Sequence, residues 1–319
     1  QSESTAFTFT VTRTGDLSGA ASASWAVSGP AANAADFAGG VLPTGQVSFA
    51  AGESSKVITI DVAGDTAVES NEAFSVTLSN PSAGAILGTA SAAGVIRNDD
   101  ASLSIAATGA DKAEGQSEST AFTFTVTRTG DLSGAASAHW AVGGAEVTGA
   151  DFADGVLPTG VVSFAAGESS KVITIDVAGD TGVESNEAFS VTLSDPSAGV
   201  ILGTASASGT IRNDDAALSI AATSADKAEG QSESTAFTFT VTRTGDLSGA
   251  ASASWAVSGP AANAADFAGG VLPTGQVSFA AGESSKVITI DVAGDTAVES
   301  NEAFSVTLSN PSAGAILGT

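Results

Sequence analysis

The segment TAFTFTVTRTG, residues 120–130, sets Phe122, Phe124 and Val126 at every second position with threonines between them. A period of two places all three on one side of an extended chain, so the segment predicts a β-strand with one buried face. The pattern continues in both directions. Upstream, Leu103 and Ile105 alternate in ASLSIAATG; downstream come Trp140 and Val142, Val162 and Phe164, Ile173, Ile175 and Val177, then Phe189, Val191 and Leu193. Segments such as RTGDLSG, AAGESS and the NPSAG type separate these runs and supply the backbone angles of turns. No stretch of useful length has helical spacing. Seven or so short strands in about 115 residues predict an all-β fold, an antiparallel β-sandwich of immunoglobulin-like proportions.

The chain repeats itself. Gln1, Gln116 and Gln231 each open QSESTAFTFTVTRTGDLSGAAS, which sets a period of 115 residues. Residues 231–319 are identical to residues 1–89, whereas 116–204 differ at 12 of those positions, seven of them between Ser24 and Ala34 or their counterparts. That segment reads as a tolerant loop. ASLSIAAT reads as a first strand and ASASGTIRNDD as a last one, so the complete unit is framed as residues 101–215. On this frame residues 1–100 are a unit lacking its first strand and 216–319 a unit lacking its last, and the sequence is expected to be an excerpt of a longer protein. Asp99 and Asp100 run directly into Ala101 without a Gly/Ser spacer. Tandem sandwiches in a stiff, elongated rod are therefore expected.

Composition removes several function classes. The chain has 35 acidic against 10 basic residues and a formal charge of −25. Nucleic acid is not an expected partner, because it requires cationic patches that neutralise phosphate. No run approaches the roughly 18 apolar residues of a membrane span, so direct membrane insertion is not expected. The chain contains no cysteine. Stability must then come from packing or from a bound ion, and export to an oxidising exterior carries no risk of mispairing. A Gly-rich phosphate loop ending in Gly-Lys-Ser/Thr and a helical His-Glu pair are both missing, and no enzymatic role is expected. His139, the single histidine, alternates with Trp140 and is expected at the surface; Trp25, Trp140 and Trp255 are expected in the cores. Arg97 and Arg212 adjoin Asn-Asp-Asp runs and are expected to trim local repulsion.

The acids are not scattered. Asp180, Glu184 and Glu187 fall within eight residues in GDTGVESNE, before the Phe189 strand; Asp151 lies in TGADF, Glu114 in AEG, and Asp214 and Asp215 in RNDD. One such loop alone reads as solvated surface. Four of them at strand ends are able to converge, because the loops of a sandwich cluster at its two ends. Carboxylates are the ligands that Ca2+ requires, six to eight oxygens at about 2.3–2.6 Å, and neither Cys nor a His cluster is available for a softer site. Calcium is the expected partner.

The ordered motifs AEG, FTVTRTG, GADF, AGES-K-ITI, GD--VE-NEAF-V-LS-P and I-NDD resemble the Calx-beta domain, a calcium-binding β-sandwich of sodium–calcium exchangers and large extracellular repeat proteins. The resemblance covers essentially the whole chain. It implies that Glu114, Asp151, Asp180, Glu184, Glu187, Asp214 and Asp215 are ligands in the middle copy. By the same matching it implies Asp36, Asp65, Glu69, Glu72, Asp99 and Asp100 in the first copy, and Glu229, Asp266, Asp295, Glu299 and Glu302 in the third. Two departures imply fewer or more weakly held ions: Gly64, Gly179 and Gly294 stand where acid-rich members have an acid, and Asn98 and Asn213 where some have Asp. The expected function is structural, a calcium-stiffened segment of an extracellular or cell-surface adhesin stalk, matrix fibre or filament, whose partners are adjacent repeats and other copies. The alternatives are a calcium sensor and a module that binds a ligand or carbohydrate through the variable loop around Glu146.

Overall fold

The computed structural model describes residues 4–318; residues 1–3 and Thr319, the outer limits of the two predicted terminal units, lie outside it. The first copy contributes β1 (Thr5–Thr12), β2 (Ala21–Ser28), β3 (Thr44–Phe49), β4 (Ser55–Val62), β5 (Glu72–Ser79) and β6 (Ser91–Ile96). The middle copy follows with β7 (Ala101–Gly109), β8 (Asp111–Ala113), β9 (Thr120–Gly130), β10 (Ala136–Gly143), β11 (Thr159–Phe164), β12 (Ser170–Val177), β13 (Glu187–Ser194), β14 (Val200–Leu202) and β15 (Ser206–Arg212). The third has β16 (Ala216–Ser224), β17 (Thr235–Gly245), β18 (Ala251–Ser258), β19 (Thr274–Phe279), β20 (Ser285–Val292), β21 (Ser305–Ser309) and β22 (Ala315–Leu317). Among the described residues there is no α-helix.

In the middle copy a sheet ordered β11-β10-β13-β15-β8 faces one ordered β12-β9-β7-β14. The alternation read from the sequence is what fills the space between them. Phe122, Phe124 and Val126 are fully buried. Phe189 reaches across from the opposite sheet, and its ring meets Phe122, Phe124 and Phe152 edge to face at 5.9, 5.8 and 6.0 Å, the geometry that aligns positive ring edges with negative faces. Gly209 on β15 makes room for that ring, since a Cβ there would lie 2.5 Å from it. Trp140 is only half-buried and lies over Gly160, its cross-strand partner on the edge strand β11. The indole covers the backbone where the glycine has no side chain to do so.

One feature departs from a purely antiparallel sandwich. β7 and β8 form a nearly continuous segment that changes sheets around Ala110, pairing in parallel first with β14 (Ala101 opposite Val200) and then with β15 (Asp111 opposite Thr210). The change follows a register shift between Ala107 and Gly109. A single segment thus links the two sheets, and one edge of each is left to a strand of only three residues, β8 or β14, which offers foreign strands little to pair with. In the first copy the sheets are β1-β4 and β3-β2-β5-β6; in the third they are β20-β17-β16-β22 and β19-β18-β21. Among the described residues β1 pairs only with β4, and Phe7, Phe9 and Val11 remain half-exposed where their middle-copy counterparts are covered.

Candidate metal centre

Strand register brings the middle copy's acids to one end. β8 and β15 run parallel and stop together, so Glu114, just past β8, meets Asp214 and Asp215, just past β15. β13 is antiparallel to β15 and starts at that end, with Glu187 opposite Ile211. The loop leading into it carries Asp180 and Glu184. β10 ends there too, Gly143 opposite Ser190, and leads to a 3-10 turn, Gly149–Asp151, capped by Thr148. In that turn the Asp151 carboxylate accepts the Thr148 amide at 2.5 Å, which fixes its position.

Two trios result. Oxygens of Glu114, Asp214 and Asp215 lie within 4.8 Å of one another, and so do oxygens of Asp151, Glu184 and Glu187. Asp180 joins neither trio, but its charge acts on Glu114, Glu184 and Asp215, while Asp151 and Asp215 both act on Glu184. The seven predicted residues therefore share one field. Glu114 is 4% exposed, and burial, reinforced by Glu184, Asp180, Asp214 and Asp215, pushes its carboxyl up to about 7. Its Oε1 is buried without a hydrogen-bond donor. Burial also raises Glu184, Glu187 and Asp215, and the Gln116 amide offsets the last only in part. Converging acids held above their ordinary range, one with a buried oxygen lacking a donor, suit a hard cation bound by oxygen ligands.

Asn213, read from the sequence only as a missing carboxylate, has a positive role. Its Oδ1 accepts the Glu184 amide at 2.9 Å, its Nδ2 donates to the Asp215 carbonyl at 2.9 Å, and its own amide donates to Asn186 Oδ1 at 3.0 Å. One side chain clips the acidic loop to the end of β15. Asn98 does the same between Glu69, Asn71 and Asp100 in the first copy. Asn213→Ala is expected to cost about 1–2 kcal/mol for two lost hydrogen bonds and to free the acidic loop, which faster amide exchange at Glu184 would reveal. Arg212, by contrast, does not trim the repulsion as expected. It turns to Asp111 on the neighbouring strand in a two-pronged, exposed pair at 2.5 and 2.8 Å, because the strand alternation that points Ile211 inward points Arg212 out.

The other copies are less complete. Asp36, Glu69 and Glu72 form a trio in the first, where Asp65 accepts the Ala67 amide at 2.6 Å and Asp100 is buried. Asp99 enters no trio there, and its charge acts on Asp100. In the third, no three of Glu229, Asp266, Asp295, Glu299 and Glu302 come within that distance among the described residues. A hydrogen bond to Asp266 raises Glu302, and the charge of Asp295 raises Glu299. The counterpart of β8, residues 226–228, is not a strand here, because among the described residues no β15-like strand follows β22 to pair with it. Glu229 is accordingly less buried than Glu114.

The acidic loop also touches the next copy. A Cβ on Gly130, the last residue of β9, would lie 2.6 Å from Val68 Cγ1 and 2.5 Å from the Asp100 carbonyl oxygen. Val183 and Asp215 stand in the same relation to Gly245. Val298, with no such neighbour among the described residues, is fully exposed.

The sequence pattern described as "Calx-beta domain" matches residues 1–101, 108–216 and 217–318. No curated protein matches the chain. Among solved structures, CBD12 from CALX1.2 is similar at 23% identity over 66% of this chain and 81% of its own, with a TM-score of 0.34. The apo-form Calx CBD1 domain is similar at 26% identity over 35% of this chain and 96% of its own, with a TM-score of 0.30. Calcium binding domain CBD12 of CALX1.1 is similar at 21% identity over 64% and 92%, with a TM-score of 0.31.

Proposed function

The chain belongs to the Calx-beta domain family, and on that premise we propose that its copies bind Ca2+ at their acidic ends and that binding stiffens both the copies and the joints between them. The observation that carries this reading is the buried carboxylate of Glu114, which has an oxygen without a donor and sits amid acids that raise it to about 7. Such an arrangement is relieved by protonation or by a bound cation, and above about pH 7 the cation is the one that remains. Glu114, Asp214 and Asp215 would hold one side of the site, Asp151, Glu184 and Glu187 the other, and Asp180 the ground between. Bound calcium would supply charge neutralisation alone; the residues supply the ordering. Ordering the loop that carries Glu184 also orders Val183, which rests against Gly245 of the next copy.

In this reading the protein is an architectural segment whose surroundings are extracellular, where modules of this kind bind with Kd of about 10⁻⁴–10⁻³ M. Small-angle scattering of the chain in millimolar calcium should give a longer and narrower distance distribution than in excess chelator. Identical distributions would remove the stiffening role. Calorimetric titration separates the sensor alternative, which needs a Kd of about 10⁻⁷–10⁻⁵ M.

A further inference from the structure

The copies are not equivalent at the calcium end. Of the middle copy's 12 differences, three add an acid: Glu146 for Ala31, Asp154 for Gly39 and Asp195 for Asn80. Of the three, Glu146 is the one that bonds beside the trio of Asp151, Glu184 and Glu187. Its Oε2 accepts the amide of Ala188 at 2.7 Å, and Ala188 directly follows Glu187. Its charge acts on Glu187, as those of Asp151 and Glu184 do. The supporting loop is shared, for Gly144 lies against the Ala188 carbonyl as Gly29 does against that of Ala73 and Gly259 against that of Ala303. Of the residues that differ in this loop, Glu146 is the one that brings a charge.

Resting on the calcium reading above, we propose that Glu146 is an affinity-determining residue, a fourth carboxylate that makes the middle copy the tightest divalent-cation site of the array. Ligand charge count is a main lever on the affinity of oxygen-ligand calcium sites. A trio of carboxylates offers three negative charges, and Glu146 brings a fourth, restrained by the Ala188 amide so that little of its freedom remains to be lost on binding. Calcium added to the chain then fills the middle copy first, and its joint to the third copy is ordered before the joint between the first and the middle copy.

The test is a calcium titration of the whole chain followed by nuclear magnetic resonance at the amides of Ala188, Ala73 and Ala303, which reports each copy separately. Glu146→Ala installs the residue already present at Ala31 and Ala261, so folding is preserved. It should weaken the middle copy about tenfold, the scale on which charge count tunes such sites. Glu146→Gln keeps an acceptor for the Ala188 amide and removes the charge; it should weaken the site nearly as much. Ala31→Glu should tighten the first copy. Middle-copy affinity within about twofold of the original in Glu146→Gln would overturn the proposal, a change of about 0.4 kcal/mol or less. Absence of saturable binding in every copy would instead overturn the calcium reading on which it rests.

Discussion

Replacing Glu114 by glutamine is expected to stabilise the calcium-free middle copy above neutral pH and to remove most of its response to calcium. An ordinary glutamate releases its proton near 4.5, whereas Glu114 in the fold holds it up to about 7. The folded copy thus binds a proton that the unfolded chain has released, and stability falls as pH rises between the two values. This contribution is fully present below about 4.5 and is lost as pH passes about 7. At about 1.4 kcal/mol per tenfold it amounts to roughly 3 kcal/mol, and the raised Glu184, Glu187 and Asp215 act in the same direction. Calcium reverses the slope, since its ligands must be deprotonated, and at about 100 times Kd it adds about 2.7 kcal/mol. Urea denaturation at pH 5 and pH 8 should be followed by Trp140 fluorescence with Trp25 and Trp255 replaced by phenylalanine. Stability that does not change with pH in the absence of calcium, or a slope undiminished in Glu114→Gln, would sink the assignment.

Gly130→Ala should be the most disruptive single change at a joint. Gly130 has φ +85°, and an added Cβ would meet the Asp100 carbonyl oxygen at 2.5 Å and Val68 at 2.6 Å. A left-handed non-glycine residue costs about 1–3 kcal/mol, and forcing a methyl group into packed surroundings costs about as much again. Gly15 is a built-in control: its φ is also +85°, yet nothing lies within 4 Å of its Cβ position. Gly15→Ala should therefore show the backbone cost alone. The two variants should be compared by denaturation and by the scattering profile in calcium. Equal losses, with an unchanged profile in Gly130→Ala, would mean that the valine contact does not position the next copy.

Much of this architecture can be read before any coordinates are seen. The period of two in Phe122, Phe124 and Val126 is a direct consequence of strand geometry, and the acid-bearing motifs flank such runs, so their place at strand ends is legible too. What escapes is whatever depends on register. Residues 106–110 are Ala, Ala, Thr, Gly and Ala, a run with no apolar period, and the change of sheet there leaves no trace in the pattern. Val200–Leu202 is too short for periodicity and reads as part of a turn. Arg212 finds Asp111 across 101 residues of sequence. The division of the acids into two trios and the clip formed by Asn213 rest on which strand ends lie side by side, and spacing along the chain does not contain that information.

The parallel pairing of β8 with β15 has a mechanical consequence. Because β7 and β8 continue one another in direction and β15 runs alongside, the chain enters the middle copy at Ala101 and leaves after Arg212 at the opposite end. A pull on the two neighbouring copies would act along these strands rather than across them. The bonds of β7 to β9 and of β15 to β13 would then be loaded together and sheared, instead of being opened one after another like a zipper. Resistance to such a pull is governed by the rate of unfolding and not by equilibrium stability. A domain of modest thermodynamic stability joined in this way would still yield slowly under tension.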